Sequence, residues 1–314
     1  MIQNLGGQRV GTSVFPFLKI ETSAFGAAMG GAAVAVPTDA AGIFYNPSII
    51  THLPRLNVVV SHIRWPADIS YDIVAVSLPL WRHQHLAVSY GGLQTEPLLE
   101  TTEYMPYGTG NTFTYKDQVL GLTWSLRMTD RFSFGTTVKY VRETLADVGM
   151  TAVLFDFGTY YLTGFRSLRL SSSFSNFGRQ ARPDGTYKKL VLDEQTGDEV
   201  EADLNYQPFS PPTLFRLGAA YELVEADNQQ LTVAIQLTHP ADNAEFYAFG
   251  VNYTFRKALC LRAGYMANAD EFDLTFGAGF HLRFRSGRQI RFDYAYTQAA
   301  YLSSPQRISI GFSL

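Results

Sequence analysis

Five charged or titratable side chains in the C-terminal part of the chain can form charge-assisted hydrogen bonds from one polar face. Arg262, His281, Arg283, Arg291 and Asp293 fall in alternating segments, on a face shared with other polar residues. Arginine binds carboxylate and other acceptor oxygens through charge-assisted hydrogen bonds. The group is therefore expected either to hold another part of the chain or to contact the carboxylate of a ligand, and the sequence leaves both roles open.

Two further clusters have the residue types of a metal site but not the number or spacing. His83 and His85 would share one face of a strand, yet zinc needs three or four protein ligands and no carboxylate lies nearby. The acidic run at 193–203 contains six acids and no base, and its spacing does not fit an EF-hand loop. We expect a polar turn at the histidines and a solvated hairpin tip at Thr196-Gly197, with no metal bound.

Motifs of catalysis and of cofactor binding are missing from the sequence. It contains no H-E-x-x-H, G-x-S-x-G, G-x-x-x-x-G-K or C-x-x-C pattern, so we expect a non-enzyme without a cofactor. Its 25 basic residues are outnumbered by 28 acidic ones, and Lys and Arg are scattered and form no basic patch, which argues against a nucleic-acid partner. The single cysteine, Cys260, excludes an internal disulfide framework.

Alternation of apolar and polar residues dominates the chain from about residue 55 onward. In FDLTFGAGFHLRF, Phe272 and the residues at every second position after it form an apolar face, while Asp273 and its alternate partners form a small or polar face. The chain has 23 Phe and 18 Tyr but only 17% charged residues, so these rings need apolar surroundings. The pattern fits a soluble core or a membrane barrel with rings facing lipid and a polar lumen.

The number and length of the alternating segments favour the barrel. An all-β, transmembrane antiparallel barrel of about 14 strands is predicted, since most segments approach the roughly ten residues that cross a bilayer when tilted. The predicted strands are 55–65, 70–81, 84–92, 117–127, 131–143, 151–162, 167–176, 213–223, 230–239, 245–256, 258–267, 272–284, 289–297 and 306–314.

Connection lengths support the same fold. If the first strand runs outward, every connection longer than six residues falls on one rim, at 93–116, 144–150, 177–212 and 298–305. Bacterial barrels place short turns in the periplasm and long loops outside. A soluble sandwich of two sheets, the alternative, has no reason to sort its loops in this way. The sequence thus predicts a protein of the outer membrane of a Gram-negative bacterium, in contact with its lipid.

Several residues are expected to mark features of the barrel wall. Pro79 cannot donate to a ladder, and Gly91-Gly92 favours a bend, so the three residues together could form a lateral opening. In the alternative, Pro79 lies beside the rim and the glycines start the long loop. Aromatic residues near strand ends are expected to form interfacial belts: Trp65, Trp81, Tyr140, Tyr221, Tyr253 and Tyr265.

Residues 1–54 precede the first strand and are predicted to plug the barrel. A wall of fourteen strands is too wide for its own side chains to fill, and the segment GAAMGGAAVAVPTDAAGIFYNP is made largely of glycine and alanine, which allow close backbone approach. We expect two domains, an N-terminal hatch at 1–54 and a barrel at 55–314. The residues expected to define the hatch are Gly30, Gly31, Asp39, Asn46 and Pro47.

The stretch FPFLKIETSAFGAAMGGAAVAVPTDAAGIFYNPSII resembles the amino-terminal signature of the PorV/PorQ family of outer-membrane proteins, relatives of the FadL fatty-acid transporters. The shared features are a Phe-Leu-Lys-Ile entrance, a Met-Gly-Gly turn, an Asp and an Asn-Pro pair. The resemblance covers about residues 15 to 50, and the remaining chain matches in architecture.

The resemblance implies two functions, which stay open at this point. PorV-like members attend the type IX secretion system and bind secreted or surface-attached proteins, here through the loops at 93–116 and 177–212. FadL-like members pass fatty acids or other hydrophobic molecules through the lumen to a lateral opening. The first function is the main prediction and implies a protein partner, and the second implies a hydrophobic ligand in the lumen.

Overall fold

A computed structural model of the chain describes residues 10–81, 83–192, 199–269 and 271–314. No helix in these ranges is both long enough and apolar enough to cross a membrane. The strands are β1 Asn57–Trp65, β2 Ile69–Trp81, β3 Gln84–Gln94, β4 Leu98–Leu99, β5 Thr112–Phe113, β6 Tyr115–Arg127, β7 Phe132–Leu145, β8 Val148–Leu162, β9 Arg169–Gly178, β10 Thr186–Leu192, β11 Glu199–Asn205, β12 Leu214–Glu225, β13 Gln229–Pro240, β14 Phe246–Phe255, β15 Leu259–Ala267, β16 Phe272–Arg283, β17 Gln289–Ala299 and β18 Gln306–Ser313.

Fourteen of these strands form one closed antiparallel barrel in the order β1-β2-β3-β6-β7-β8-β9-β12-β13-β14-β15-β16-β17-β18. Closure joins β1 to β18, with partners from Asn57 and Ser313 at one end to Arg64 and Gln306 at the other. Because the sheet closes on itself, it has no edge strand with unpaired backbone groups. The remaining strands form two small hairpins, β4 with β5 and β10 with β11. The predicted fourteen-stranded barrel is confirmed.

Side chains alternate between the lumen and the outer face along each wall strand. In β6, Val119 and Thr123 are buried on the inner face, while Leu120 and Leu122 are exposed on the outer face. The outer surface is made of such exposed Leu, Val, Phe and Tyr side chains. An apolar outer band on a closed sheet is what a bilayer requires. This architecture places the chain in the outer membrane of a Gram-negative bacterium.

The two long connections between wall strands, those after β3 and β9, lie on the same rim, whereas the connection predicted at 144–150 is a two-residue turn between β7 and β8, so that part of the prediction was wrong. One rim carries the two hairpins and the connections after β3 and β9, and it also carries 240–246, 267–272 and 299–306. The other rim carries only short connections, such as those between β6 and β7 and between β14 and β15. We refer to them as the loop rim and the turn rim. Since outer-membrane barrels have their longer loops outside, the loop rim is extracellular.

The N-terminal segment lies inside the barrel and is almost entirely buried from Val14 to Leu53. It forms a short α-helix, α1 (Ala24–Ala28), and three 3-10 helices at Pro16–Lys19, Ala40–Phe44 and Pro47–His52. Helix α1 packs against β15 to β18, and the last 3-10 helix packs against β6, β7 and β8. The segment therefore crosses the lumen from one side of the wall to the other.

Three polar side chains start the helices of this segment by capping their free backbone amides. Ser23 Oγ accepts from Gly26 N at 3.0 Å, Asp39 Oδ1 accepts from Ala41 N at 2.9 Å, and Asn46 Oδ1 accepts from Ser48 N at 3.0 Å. Such caps satisfy donors that a short helix leaves without partners. They let a chain of small, buried residues hold a fixed path inside the barrel.

Candidate functional site

Two cavities lie on opposite sides of the segment Ala24–Gly31, which we call the partition. The first, the loop-side cavity, has a volume of about 170 Å³ and is lined in part by Ala27, Gly30 and Gly31 of the partition. The second, the vestibule, has a volume of about 690 Å³ and is lined by Phe25 of the same segment. The partition therefore separates an outer cavity from an inner one.

The loop-side cavity is apolar. Its walls include the rings of Trp65, Phe246 and Phe272 and the thioether of Met266. Trp65 and Phe272 meet edge to face, with ring centroids 5.4 Å apart, an arrangement that aromatic pairs favour. An apolar cavity of about 150 Å³ is known to hold a benzene molecule. At about 170 Å³, this cavity has room for a single aromatic ring.

Arg307 and Lys19 beside the loop-side cavity have partners within the protein, whereas Glu21 Oε2, also in its lining, is buried and makes no hydrogen bond to any described residue. Arg307 donates from Nε to the Glu21 carbonyl oxygen at 3.0 Å and from Nη1 to Thr297 Oγ1 at 2.8 Å. Lys19 forms an ion pair of 2.7 Å with Asp242. Apart from the Glu21 carboxylate, a bound molecule would therefore meet mainly aromatic and aliphatic surface.

The Asp242 carboxylate ties the start of the N-terminal segment to the loop at 240–246. It accepts hydrogen bonds from Lys19 Nζ and Ser13 Oγ. Burial would raise the pKa of Asp242, but the hydrogen bonds from Lys19 and Ser13 and the charge of Lys19 together lower it. The loop and the segment are therefore held together above the turn at Gly30-Gly31.

The vestibule is polar and reaches the turn rim. It is enclosed by the partition and residues Val36–Asp39 on one side and by strands β12 to β17 on the other. Asp227 and Lys257, which line its lower end, belong to the turns after β12 and β14. Arg169 and Glu222 pair across its wall at 2.7 Å. Water and polar solutes thus meet a hydrophilic surface below the partition.

The predicted polar lumen group lies in the vestibule. Arg262 Nη1 is 2.6 Å from Asp293 Oδ1, and its guanidinium lies 4.8 Å from the centroid of the Phe25 ring. Arg291 donates to the Thr38 carbonyl oxygen and lies 3.5 Å from Asp39 Oδ2. The sequence left open whether this group holds another part of the chain or contacts the carboxylate of a ligand. These contacts with the N-terminal segment favour the first role, holding the segment.

His281 and Arg283 belong to the same face but make no hydrogen bond or close ion pair with the described part of the N-terminal segment, residues 10–54. His281 Nε2 is 3.9 Å from Asp293 Oδ1, and Arg283 is exposed near the turn rim. The thiol of Cys260 lies 3.7 Å from His281 Nε2 and is buried. The side chains of His281 and Arg283 both line the vestibule.

Asn46 anchors the second half of the N-terminal segment to the wall. It is fully buried, and its Nδ2 donates to the Thr159 carbonyl oxygen at 3.0 Å, to Ser171 Oγ and to the Val34 carbonyl oxygen at 3.3 Å. The next residue, Pro47, occupies the first position of a 3-10 helix, where its missing N–H costs nothing. Its carbonyl oxygen accepts from Ser125 Oγ at 2.7 Å.

Gly30 and Gly31 form the turn that ends the partition. Both have positive φ angles, 65° and 83°, which side chains disfavour. The wall opposite is also made of glycine. A Cβ on Gly264 would lie 2.1 Å from Gly30 N, and one on Gly277 would lie 2.4 Å from the Cβ of Ala28. The sequence pairs small residues of the wall with small residues of the partition.

The structure contradicts a lateral opening at Pro79, Gly91 and Gly92. Strand β3 pairs with β6 throughout without a register shift, and it pairs with β2 at both glycines. A Cβ on Gly91 would contact buried Ile73 and Tyr71, and one on Gly92 would contact the Tyr90 ring. The ladder shifts only between Pro79 and Trp81, beside the short turn. Pro79 therefore lies near the rim, as the alternative expected, and the glycines lie within a paired strand.

Neither the pair His83 and His85 nor the acidic run at 193–203 forms a metal site among the described residues. His85 is buried, and its Nε2 is 3.1 Å from the Leu53 carbonyl oxygen, so it contacts the end of the N-terminal segment. The predicted hairpin tip at 196–197 lies outside the described residues, although β10 and β11 flank it. Within the described ranges, no three His, Cys, Asp or Glu side chains are grouped closely enough to hold a metal ion.

Two rings of the loop-side cavity were assigned to the wrong face from the sequence. Trp65 was expected in an interfacial belt, and Phe272 was placed on the outer face of β16, but both line the cavity. Trp65 follows the inward positions Ser61 and Ile63 at a spacing of two, a signal that the sequence contained. For Phe272 no such signal existed, because a register shift between Phe272 and Thr275 reverses its direction.

Comparison with known proteins gives the fold. No protein-family model and no curated protein sequence matches the chain. Among solved structures, the monoaromatic hydrocarbon channel CymD has a TM-score of 0.60 at 12% identity, over 93% of this chain and 96% of CymD. The toluene transporter TbuX of Ralstonia pickettii has a TM-score of 0.57 at 13% identity, over 92% and 97% of the two chains. A FadL homologue of Pseudomonas aeruginosa has the same TM-score and identity, over 93% and 97%. The chain shares its fold with these proteins.

Proposed function

We propose that this protein is a non-catalytic outer-membrane channel for small hydrophobic molecules. The observation that carries the proposal is the apolar loop-side cavity of about 170 Å³ at the extracellular end of a closed lumen. Ligand sites are typically concave and mostly apolar. The hydrocarbon channels and the FadL homologue that share the fold support this function over protein binding.

The proposal is tested by fluorescence quenching at Trp65. The chain has three tryptophans, Trp65, Trp81 and Trp124, and only Trp65 lines the loop-side cavity. In the Trp81→Phe/Trp124→Phe protein, Trp65 is the single indole emitter. Bromobenzene is expected to quench it in a saturable manner, because its heavy atom would contact the indole. Quenching that rises linearly with bromobenzene and shows no saturation would contradict a binding site.

A matched pair of variants locates the site. Ala269 lines the cavity from the loop after β15, so Ala269→Phe should occupy the space of the ligand and abolish saturable quenching. Ala300 lies exposed in the loop after β17 and lines neither cavity. Ala300→Phe should leave quenching unchanged. Equal effects of the two substitutions would count against the cavity as the site.

Protein binding through the extracellular loops is the second candidate, and one observation favours it. Tyr104, Tyr107 and Tyr301 are almost fully exposed on the loop rim, and tyrosine is common in binding surfaces. This function implies a PorV/PorQ-like role with a secreted or surface-attached partner. Native extraction of the protein followed by identification of co-purified chains tests it, with Tyr104→Ser/Tyr107→Ser as the variant that should lose the partner. A protein that purifies alone would contradict it.

A further inference from the structure

One carboxylate in the otherwise apolar loop-side cavity has an oxygen without a partner. Glu21 lines the cavity, and its Oε2 is buried and accepts no hydrogen bond from any described residue. We infer that the cavity selects small aromatic molecules that carry an O–H or N–H donor, such as phenols, and that Glu21 binds this donor. The inference rests on the proposed function and narrows its ligand class.

Two other charged side chains of the lining are held by groups of the protein. Lys19 Nζ is paired with Asp242 Oδ2 at 2.7 Å. Glu271 Oε1 accepts hydrogen bonds from Tyr301 N at 2.9 Å and from Leu302 N at 2.8 Å, both in the loop after β17. A ligand would have to compete with these contacts, whereas at Glu21 Oε2 it would displace no hydrogen bond of a described residue.

The polar groups that act on the Glu21 carboxylate leave the cavity itself free. Arg307 uses its Nε for the Glu21 carbonyl oxygen and its Nη1 for Thr297, and its guanidinium lies 5.6 Å from the centroid of the Trp65 ring. The Tyr45 hydroxyl interacts electrostatically with the carboxylate, but Tyr45 does not line the cavity. A buried acceptor without a donor costs free energy, and the donor of a ligand would remove that cost.

The position of the carboxylate suits a ring with a polar substituent. A Cβ on Gly31 would lie 3.0 Å from Glu21 Oε1, and Gly31 lines the cavity, so the carboxylate lies next to the space available to a ligand. The Glu21 side chain is only partly buried. Trp65 and Phe272 supply apolar walls in the same cavity. An aromatic ring with one donor would match both kinds of lining.

The charge around the cavity disfavours an anionic ligand. Its lining contains two acids and two bases, and the base Lys19 is paired with a third acid, Asp242. The group as a whole therefore carries one excess negative charge. A ligand carboxylate would be repelled by Glu21, whereas a phenol keeps its proton at about pH 7 and can donate it in a hydrogen bond. Fatty acids are accordingly expected to be poor ligands of this cavity.

The test compares three brominated rings as quenchers of Trp65 in the Trp81→Phe/Trp124→Phe protein. Each half-saturating concentration is expressed as free compound in water, which corrects for uptake into detergent. That of 4-bromophenol should be about 10- to 100-fold below that of bromobenzene, because a hydrogen bond to a charged group is stronger than one between neutral groups. That of 4-bromobenzoate should lie above that of bromobenzene, because its charge is repelled.

Substitutions at Glu21 assign the preference to one side chain. Glu21→Leu removes the acceptor and should bring the half-saturating concentrations of 4-bromophenol and bromobenzene to within about twofold of each other. Glu21→Gln keeps the shape and a neutral acceptor, and its preference should lie between those of Glu21→Leu and the parent protein. Saturable quenching by bromobenzene shows that the cavity is intact in each variant.

The matched control is Glu103→Leu, the same substitution at an exposed carboxylate between β4 and β5 that lines neither cavity. It should keep the full preference for 4-bromophenol. Equal binding of the phenol and bromobenzene by the parent protein, or an undiminished preference in Glu21→Leu, would overturn the inference while saturable quenching by bromobenzene upheld the proposed function. If quenching by both compounds rises linearly without saturation, both proposals fall.

Discussion

At the scale of single residues, the N-terminal segment depends on a few buried polar side chains. Asn46 bonds with five backbone or side-chain groups, on the segment itself and on strands β8 and β9. The wall residue beside it must be a glycine, because a Cβ on Gly158 would lie 2.0 Å from Asn46 Oδ1. The Asn46 amide therefore links the segment to the wall through its Nδ2 and caps the 3-10 helix that follows it through its Oδ1.

Replacement of Asn46 should loosen the plug without opening the barrel. Asn46→Ala removes the amide from buried partners that water does not reach, and such losses cost about 2 to 4 kcal/mol. The midpoint of thermal unfolding in detergent should fall, and exchange of the amides at 40–53 should increase. Asn111→Ala, at an exposed loop position, is the control and should change neither. An unchanged midpoint for Asn46→Ala would contradict the anchoring role.

Asp242 should make the loop contact sensitive to acid. Its folded-state pKa is lowered, so its contribution to stability is present above the ordinary pKa of aspartate and is lost as the pH falls through the lowered value. The protection factors of the amides at 13–19 and 240–246, which correct for the pH dependence of intrinsic exchange, should therefore be high at about pH 7 and should fall only as the pH drops below the ordinary aspartate pKa of about 3.9. Asp242→Asn should give low protection factors for these amides throughout this pH range. Slow exchange of the variant at neutral pH would contradict the role of the ion pair.

At the scale of elements, the fit between the partition and strands β14 to β16 is made by small residues on both sides. Gly250 would place a Cβ 2.6 Å from the Met29 carbonyl oxygen, and Gly264 would place one 2.3 Å from Met29 C. Close backbone packing of this kind excludes water without large side chains. It also means that a single methyl group on the wall is enough to displace the partition.

Gly264→Ala is accordingly expected to open the lumen. Its Cβ meets backbone atoms of the partition, which cannot yield as a flexible side chain does, so the partition must shift. Ion conductance in planar bilayers should rise above that of the wild type. Gly311→Ala is the matched control, because its nearest atoms are 3.4 Å away, on the Arg291 side chain. Equal conductance of the two variants would show that the partition does not close the lumen.

The elements that the sequence predicted are those with strict alternation. All fourteen wall strands follow from the period of two and from loop lengths, and their bounds differ from the structure by only a few residues. The loop-side cavity was not predicted, because the bulge before Thr275 turns Phe272 inward and a bulge leaves no mark on the alternating pattern. Of the two alternatives left open for Pro79 and Gly91-Gly92, the lateral opening is the wrong one, since glycine also occurs where buried side chains such as Tyr71 need space.

At the scale of the whole molecule, burial is inverted in comparison with a soluble protein. The outer face is apolar, and the lumen holds ion pairs such as Arg262 with Asp293 and Arg169 with Glu222. In the lumen these charges are paired and hydrogen-bonded, which offsets the cost of removing them from water. The apolar outer face is stabilised by contact with the hydrocarbon of the bilayer. The loss of stability caused by a charged substitution there should therefore depend on the depth of the substituted residue in the bilayer.

The same substitution at two depths tests this arrangement. Leu122 is 52% exposed in the middle of β6, and Leu170 is 42% exposed on the outer face at the turn-rim end of β9. Leu122→Arg should destabilise the barrel in lipid vesicles by about 2 to 4 kcal/mol, and Leu170→Arg by about 0 to 1 kcal/mol. Urea unfolding measures both. Equal losses would contradict the assigned position of the bilayer.

The central claim is that a single small hydrophobic molecule binds above the partition, in a cavity lined by Trp65 and Phe272. A crystal structure with bromobenzene, phased on the anomalous signal of bromine, tests it most directly. The account predicts one bromine peak inside the loop-side cavity, in contact with both rings, and no peak there in Ala269→Phe. Bromine found only on the lipid-facing surface, or a cavity without density at saturating bromobenzene, would contradict it.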